Sequence, residues 1–188
     1  MAMQISLAGL NQALTAAKQR VAAPLIDNLE KLYHAELFDL QDLERQVSTI
    51  AEQIWVEMHN ESLSQRISDY AMQMRSRQVG FDALLERLGL ESRGGQQDRA
   101  MRALVREIWR IPDACAENVR DAAGVAAMQR IIHHMIASYG TIAAHAKALG
   151  YFEDATRFAE CADQEQMADV ELSRLAKQSL NMQATGMG

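Results

Sequence analysis

Breaks are scarce in this chain. Two prolines, Pro24 and Pro112, and ten glycines leave long uninterrupted stretches in 188 residues. Ala, Leu, Gln, Glu and Arg dominate those stretches, and all five favour helix. An all-α fold is the first expectation, and the length suits a single domain. Cysteine is equally sparse. Cys115 and Cys161 exclude a disulfide framework and read as reduced thiols, which points to the cytoplasm. No apolar run approaches the length needed to span a bilayer. The opening MAMQISLAGLNQAL lacks a basic region followed by a continuous apolar core, so no signal peptide is expected. Strand alternation, a Gly-rich phosphate loop, a nucleophile elbow and a Cys-x-x-Cys pair are missing too. The formal net charge of −6 argues against a dedicated nucleic-acid binder, since phosphate contact wants a basic surface.

What the chain does have is helical periodicity, most of all over residues 121–151. There Val125, Met128, Ile132, Met135/Ile136, Tyr139, Ala143 and Ala146 recur at spacings of three and four, one face of an α-helix. Ala122, Ala126, Gly140 and Ala144 would let neighbouring helices approach closely. Adjacent histidines, His133 and His134, sit mid-helix, and histidines inside a bundle raise the possibility of a metal.

Three further long helices accompany it. The first is expected from about Leu25 to Met58, with Leu29, Tyr33, Glu36, Leu40, Leu43, Val47, Ile50 and Ile54 as a bundle seam. Glu36 is the acid in that stripe. Buried, it would need a cation, a metal or a hydrogen-bond network; at the stripe's edge it would reach water. A second helix begins near Asn60 and Ser62, reads Leu63, Ile67, Tyr70, Met74, Arg77/Gln78, Phe81, Leu85 and Leu88, and stops at Gly89. The last is expected over 153–181. Its apolar face (Ala155, Ala159, Ala162, Leu172, Leu175/Ala176, Leu180) is interrupted by the polar Asp163, Gln164, Glu165, Gln166 and Asp169. Glu165 and Asp169, four apart, share a side.

Shorter elements fill the gaps. Residues 5–22 form an amphipathic extension that Pro24 interrupts, either an outer packing helix or an oligomerisation arm. A helix over 98–111, ended by Pro112, carries Arg99, Arg102, Arg106 and Arg110 along one side. That stripe could hold phosphate, an acidic partner or another subunit; the expected reading is a solvated face exchanging ion pairs with Asp98 and Glu107. The organisation is therefore a helical extension at 1–22, a bundle at 23–182 and a disordered tail at 183–188.

The segment IASYGTIAAHAKALGYFEDATRFAE resembles the YciE/YciF family of ferritin-like bacterial proteins. The resemblance rests on IASYGT at 136–141, ALGY at 148–151 and Tyr33, Ala35 and Glu36, with support from Leu63-Ser64-Gln65 and the Asp-Ala-Ala at 121–123. It spans roughly 24–182 and implies a ferritin-like four-helix bundle, with an extra short helix and the extension, often dimeric and linked to stress. It also implies a place to look for two metal ions. Ferritin-like sites take a Glu from two helices and a Glu-x-x-His pair from the other two. Glu36 stands at the first-helix acid and His133 survives, but Met72-Gln73-Met74-Arg75 replaces an acid pair. Ile132-His133-His134-Met135 replaces Glu-His-x-Glu, and the last helix keeps only Asp163, Glu165 and Asp169. Lost acids replaced by Met and Ile suggest a core with no cation to compensate, with an inward Arg75 supplying positive charge and pairing with Glu36, Glu165 or Asp169.

Two expectations follow. One is a protein without cofactor that acts by binding or assembly, as a homodimer or with a protein partner. The other is a ferroxidase- or peroxidase-like enzyme holding iron or manganese at a rearranged site of Glu36, His133 or His134, Glu165 and Asp169. Both place it away from membranes.

Overall fold

The computed structural model describes residues 25–54, 58–90 and 98–186. The expected extension at 1–22 and residues 91–97 lie outside the described residues. The elements in chain order are α1 (Leu29–Ile54), α2 (Glu61–Arg87), α3 (Arg99–Trp109), the single turn α4 (Ile111–Ala114), α5 (Glu117–Ala148) and α6 (Phe152–Leu175). A π-helical turn (Ala176–Leu180) and α7 (Asn181–Ala184) close the chain. The described residues contain no strand, and α1, α2, α5 and α6 form an all-α four-helix bundle.

Local chemistry sets the boundaries. The first helix begins at Leu29, not near Leu25, because the Asn28 side chain accepts from the Lys31 backbone N–H at 2.9 Å and so supplies a cap. Leu25 and Ile26 stay outside it and exposed. Asn60 caps α2 through the Leu63 N–H at 3.0 Å. α2 and α5 then end in one way. Gly89 (φ +66°) and Gly150 (φ +83°) take the left-handed conformation that side chains resist. The N–H groups of Leu90 and Tyr151 reach back to the carbonyls of Leu85 and Ala146, each at 2.9 Å.

Pro112 does not end the α3 region as expected. It opens the single turn α4, where its missing N–H costs nothing. The last helix is not continuous either, since it loosens into the π-helical turn after Leu175. Gln183 and Ala184, placed by sequence in a disordered tail, finish α7, and the Asn118 side chain donates to the Ala184 carbonyl at 3.3 Å.

The core runs the length of the bundle. Tyr33, Leu37, Leu40 and Val47 from α1 meet Leu63, Ile67, Met74 and Phe81 from α2, with Ile131, Met135 and Tyr139 of α5 and Phe158 of α6. α5 lies against α6, α1 and α3. α2 and α6 touch only sparsely, which leaves an opening between them beside Tyr70.

Candidate functional site

Polar side chains from all four long helices meet inside this apolar core. Glu44 comes from α1, Tyr70 and Arg77 from α2, Tyr139 from α5, and Gln164 and Glu165 from α6. Glu165 is fully buried and Glu44 is 1% exposed. Tyr139 donates to Glu44 Oε1 at 2.6 Å, and Tyr70 donates to Glu165 Oε2 at 2.7 Å. Arg77 Nη1 donates to Glu165 Oε1 and to the Tyr139 hydroxyl, and its Nη2 donates to Gln164 Oε1 at 2.6 Å. The guanidinium also lies 5.5 Å from the Tyr139 ring centroid. Arg77 therefore binds one buried carboxylate directly and reaches the other through a phenol.

Burial governs the protonation of this cluster. It raises the Glu44 carboxyl to about 7, although the Tyr139 hydrogen bond and the Arg77 charge pull the other way. Burial raises Glu165 too, against the Arg77 charge and the bonds from Tyr70 and Arg77. Tyr70 and Tyr139 are pushed well above the phenol range, first by burial and then by the acids they face, so both remain donors. Burial disfavours the charge on Arg77, but Tyr139 and Glu165 outweigh it and the guanidinium stays cationic. Glu44 Oε2 and Arg77 Nε have no hydrogen-bond partner among the described residues.

Of the candidate metal ligands read from the sequence, only Glu165 belongs to this cluster. Glu36 is half-buried and faces His145 at 3.4 Å, an ion-pair distance without hydrogen-bond alignment, since His145 Nδ1 remains unsatisfied. His133 is exposed and meets Asp169 at 3.4 Å. His134 turns away from the bundle interior to Asp98, the cap of α3, at 2.8 Å. Asp98 is held below the usual carboxylate range by that contact and by the Met101 N–H, against the effect of burial. Glu36 and His134 do share one polar cleft of about 260 Å³, with Asp39, Ser138 and Thr141. Arg75 does not face inward: it is exposed and pairs with Glu52, and Arg77 is the internal cation instead.

A di-metal centre needs several anionic and imidazole ligands converging on one point. Among the described residues no three His, Cys, Asp or Glu side chains converge in this way. A guanidinium already lies against the core acids, so the residues present do not fit such a centre.

The arginines of α3 behave differently from their expected pairing. Asp98 is engaged by His134, and Glu107 by Arg130 of α5 at 3.2 Å. Arg99, Arg102, Arg106 and Arg110 are all exposed, with no ion pair to another described residue. α5 draws both acids toward itself and leaves the stripe uncompensated.

The expected seam of α1 does not include Glu44, and nothing in the periodicity gives Tyr70, Arg77 and Tyr139 their polar roles. A signal existed, because Tyr33, Leu37, Leu40, Glu44, Val47 and Ala51 keep a four-three alternation that shares Tyr33, Leu40 and Val47 with the expected seam. The true inner face is rotated slightly, placing Glu44 inside and Glu36 at its edge.

Comparison with known proteins agrees with this architecture. A family model described as a domain of unknown function (DUF892) matches residues 28–185. The chain belongs to this family. It is 29% identical over 157 residues to Protein YciF of Escherichia coli K12, covering 83% of this chain and 95% of that protein. The crystal structure of the E. coli stress protein YciF matches with a TM-score of 0.77 at 28% identity, over 83% of this chain and 99% of that one. YcfI from Rhodopseudomonas palustris, for which a structural role has been suggested, matches with a TM-score of 0.75 at 25% identity, over 81% and 97%. The YciE/YciF resemblance read from the sequence is thus the family itself. No helix among the described residues is long and apolar enough to cross a membrane.

Proposed function

We propose that this chain is a non-catalytic, stress-associated member of its family that acts by binding or assembly. In this reading it works as a cytoplasmic homodimer, and the side chain of Arg77 does the charge balancing that metal ions do in ferritin-like bundles. The observation that carries it is the core cluster, in which Arg77 and Tyr70 engage both oxygens of Glu165 and Tyr139 engages Oε1 of Glu44. Glu165 so engaged has little left to offer a cation, and of the other candidate ligands Glu36 faces His145, His134 faces Asp98, and His133 and Asp169 face each other outside the cluster. The link to stress is supported by the E. coli relative, which is described as a stress protein.

The test is elemental analysis of protein purified from medium supplemented with iron and manganese. The expected metal content is well below one ion per chain. About two ions per chain, as ferritin-like centres hold, together with ferroxidase turnover would overturn the proposal in favour of an iron or manganese enzyme.

A further inference from the structure

The outer face of α2 carries an uncharged stripe. Ser68, Met72, Ser76, Val79 and Ala83 recur there at spacings of three and four, opposite the buried row of Ile67, Met74 and Phe81. Met72 is 59% exposed and Val79 74%. The charged side chains nearby are drawn off this face. Arg66 pairs with Glu171 of α6 at 2.8 Å, Arg75 with Glu52 of α1, and Arg87 with Asp154 of α6. Arg77 points into the core, and Asp82 accepts from Gln41 of α1 at 2.8 Å. Gln65 and Glu86 stand at the two ends of the stripe, about 32 Å apart along the helix axis. The stripe is also symmetrical in position. About a midpoint between Arg75 and Ser76, Met72 mirrors Val79, Ser68 mirrors Ala83 and Gln65 mirrors Glu86.

We infer that α2 packs antiparallel on α2 of a second copy along this stripe, about a two-fold axis through that midpoint. Met72 of each copy then covers Val79 of the other. Ser68 lies against Ala83 and lets the two backbones approach, and the Gln65 amide meets the Glu86 carboxylate at both ends. One face set on itself closes a dimer and leaves no surface for a third copy. Two other exposed faces do not allow this. α3 would set Arg99, Arg102, Arg106 and Arg110 against themselves around Trp109. The outer side of α6 would do the same with Glu153, Glu160 and Asp163 beside Phe152 and Val170. In a chain with a formal net charge of −6, an uncharged face lets two copies meet at the least electrostatic cost. A single helix pair is a small interface, so the dimer should exchange with a Kd in roughly the micromolar range. The contact rests on the homodimer reading above and names its surface.

The experiment is sedimentation of the full chain over a concentration series, with Met72→Lys, Val79→Glu and the double variant. Both positions are exposed, so the fold should be kept, and the circular dichroism of each variant checks that. Each single change sets a charge twice against an apolar side chain of the partner and should weaken dimerisation at least tenfold. The double variant brings opposite charges face to face twice and should dimerise more tightly than either single variant. Positions 72 and 79 are about 10.5 Å apart along one helix, so that recovery can come only from the partner. In a parallel pair the double change would set like charge against like and weaken the dimer further. A double variant no tighter than the singles would therefore overturn the antiparallel contact. A dimer untouched by both single changes would overturn it too, while leaving assembly through another face intact. A wild-type chain monomeric at every concentration would overturn the contact and the homodimer together, with the metal content still deciding the non-catalytic reading on its own.

Discussion

Tyr139 and Glu44 stand 2.6 Å apart across the bundle, hydroxyl to carboxyl, at a point with almost no access to water. The same phenol accepts from Arg77 Nη1 at 3.2 Å, so it connects the α1 acid to the α2 cation. Charge in this core is shared along a chain of donors rather than held by one pair.

Removing that connection should be costly. Tyr139→Phe leaves the ring and its packing in place but takes the donor from Glu44. Stranding a buried carboxyl costs roughly 1–3 kcal/mol, to be read as a lower denaturant midpoint with an unchanged m-value.

The raised Glu44 carboxyl makes stability depend on pH. Below its ordinary value of 4.5 both folded and unfolded chains hold the proton, so the group is neutral in the balance. Between there and about 7 the unfolded chain releases it first, and stability falls as pH rises. Above about 7 the loss is complete, at most on the order of 3 kcal/mol. Glu165 is raised as well and acts in the same direction. Equilibrium unfolding of the wild type and Glu44→Gln from pH 4.5 to 8 should show a shallower fall for the variant; parallel curves would remove Glu44 as the cause.

Arg77 is expected to be the most sensitive position. Arg77→Met leaves Glu165 buried without its cation, which costs about 3–5 kcal/mol. Arg77→Met with Glu165→Met should recover most of that loss, because the second change removes the stranded charge and adds apolar surface. Failure of the double variant to recover would mean that the arginine is needed for shape rather than charge.

Two glycines separate backbone need from mere smallness. Gly150 sits at φ +83°, so Gly150→Ala should cost about 1–2 kcal/mol. Gly140 lies within α5 with nothing within 4 Å of an added Cβ, so Gly140→Ala should stabilise by roughly 0.5–1 kcal/mol. Thermal unfolding of the two variants in parallel checks both signs.

The fold was largely legible because long periodic helices carry their own signal. Asn60, Gly89 and the period through 121–151 mark real features of α2 and α5. The core cluster was harder. A 3.5-residue seam and its neighbour share every second member, so periodicity could not say whether Glu36 or Glu44 pointed inward. Arg75 and Arg77 pose the same problem, being two apart and therefore on opposite sides of a helix. Arg77 stands in the apolar row with Met74 and Phe81, yet Arg75, expected to face inward, is the exposed one. The arginines of α3, without an ion pair to another described residue, were illegible for another reason: only the packing of α5 decides which acids remain for them.

The positive charge beside Glu165 is joined to the backbone by covalent bonds. It arrives with synthesis in fixed proportion to the acids it serves, and it has no dissociation constant. Chelators, dilution and metal starvation have nothing to remove from it, so EDTA should leave the unfolding temperature of this bundle where it was.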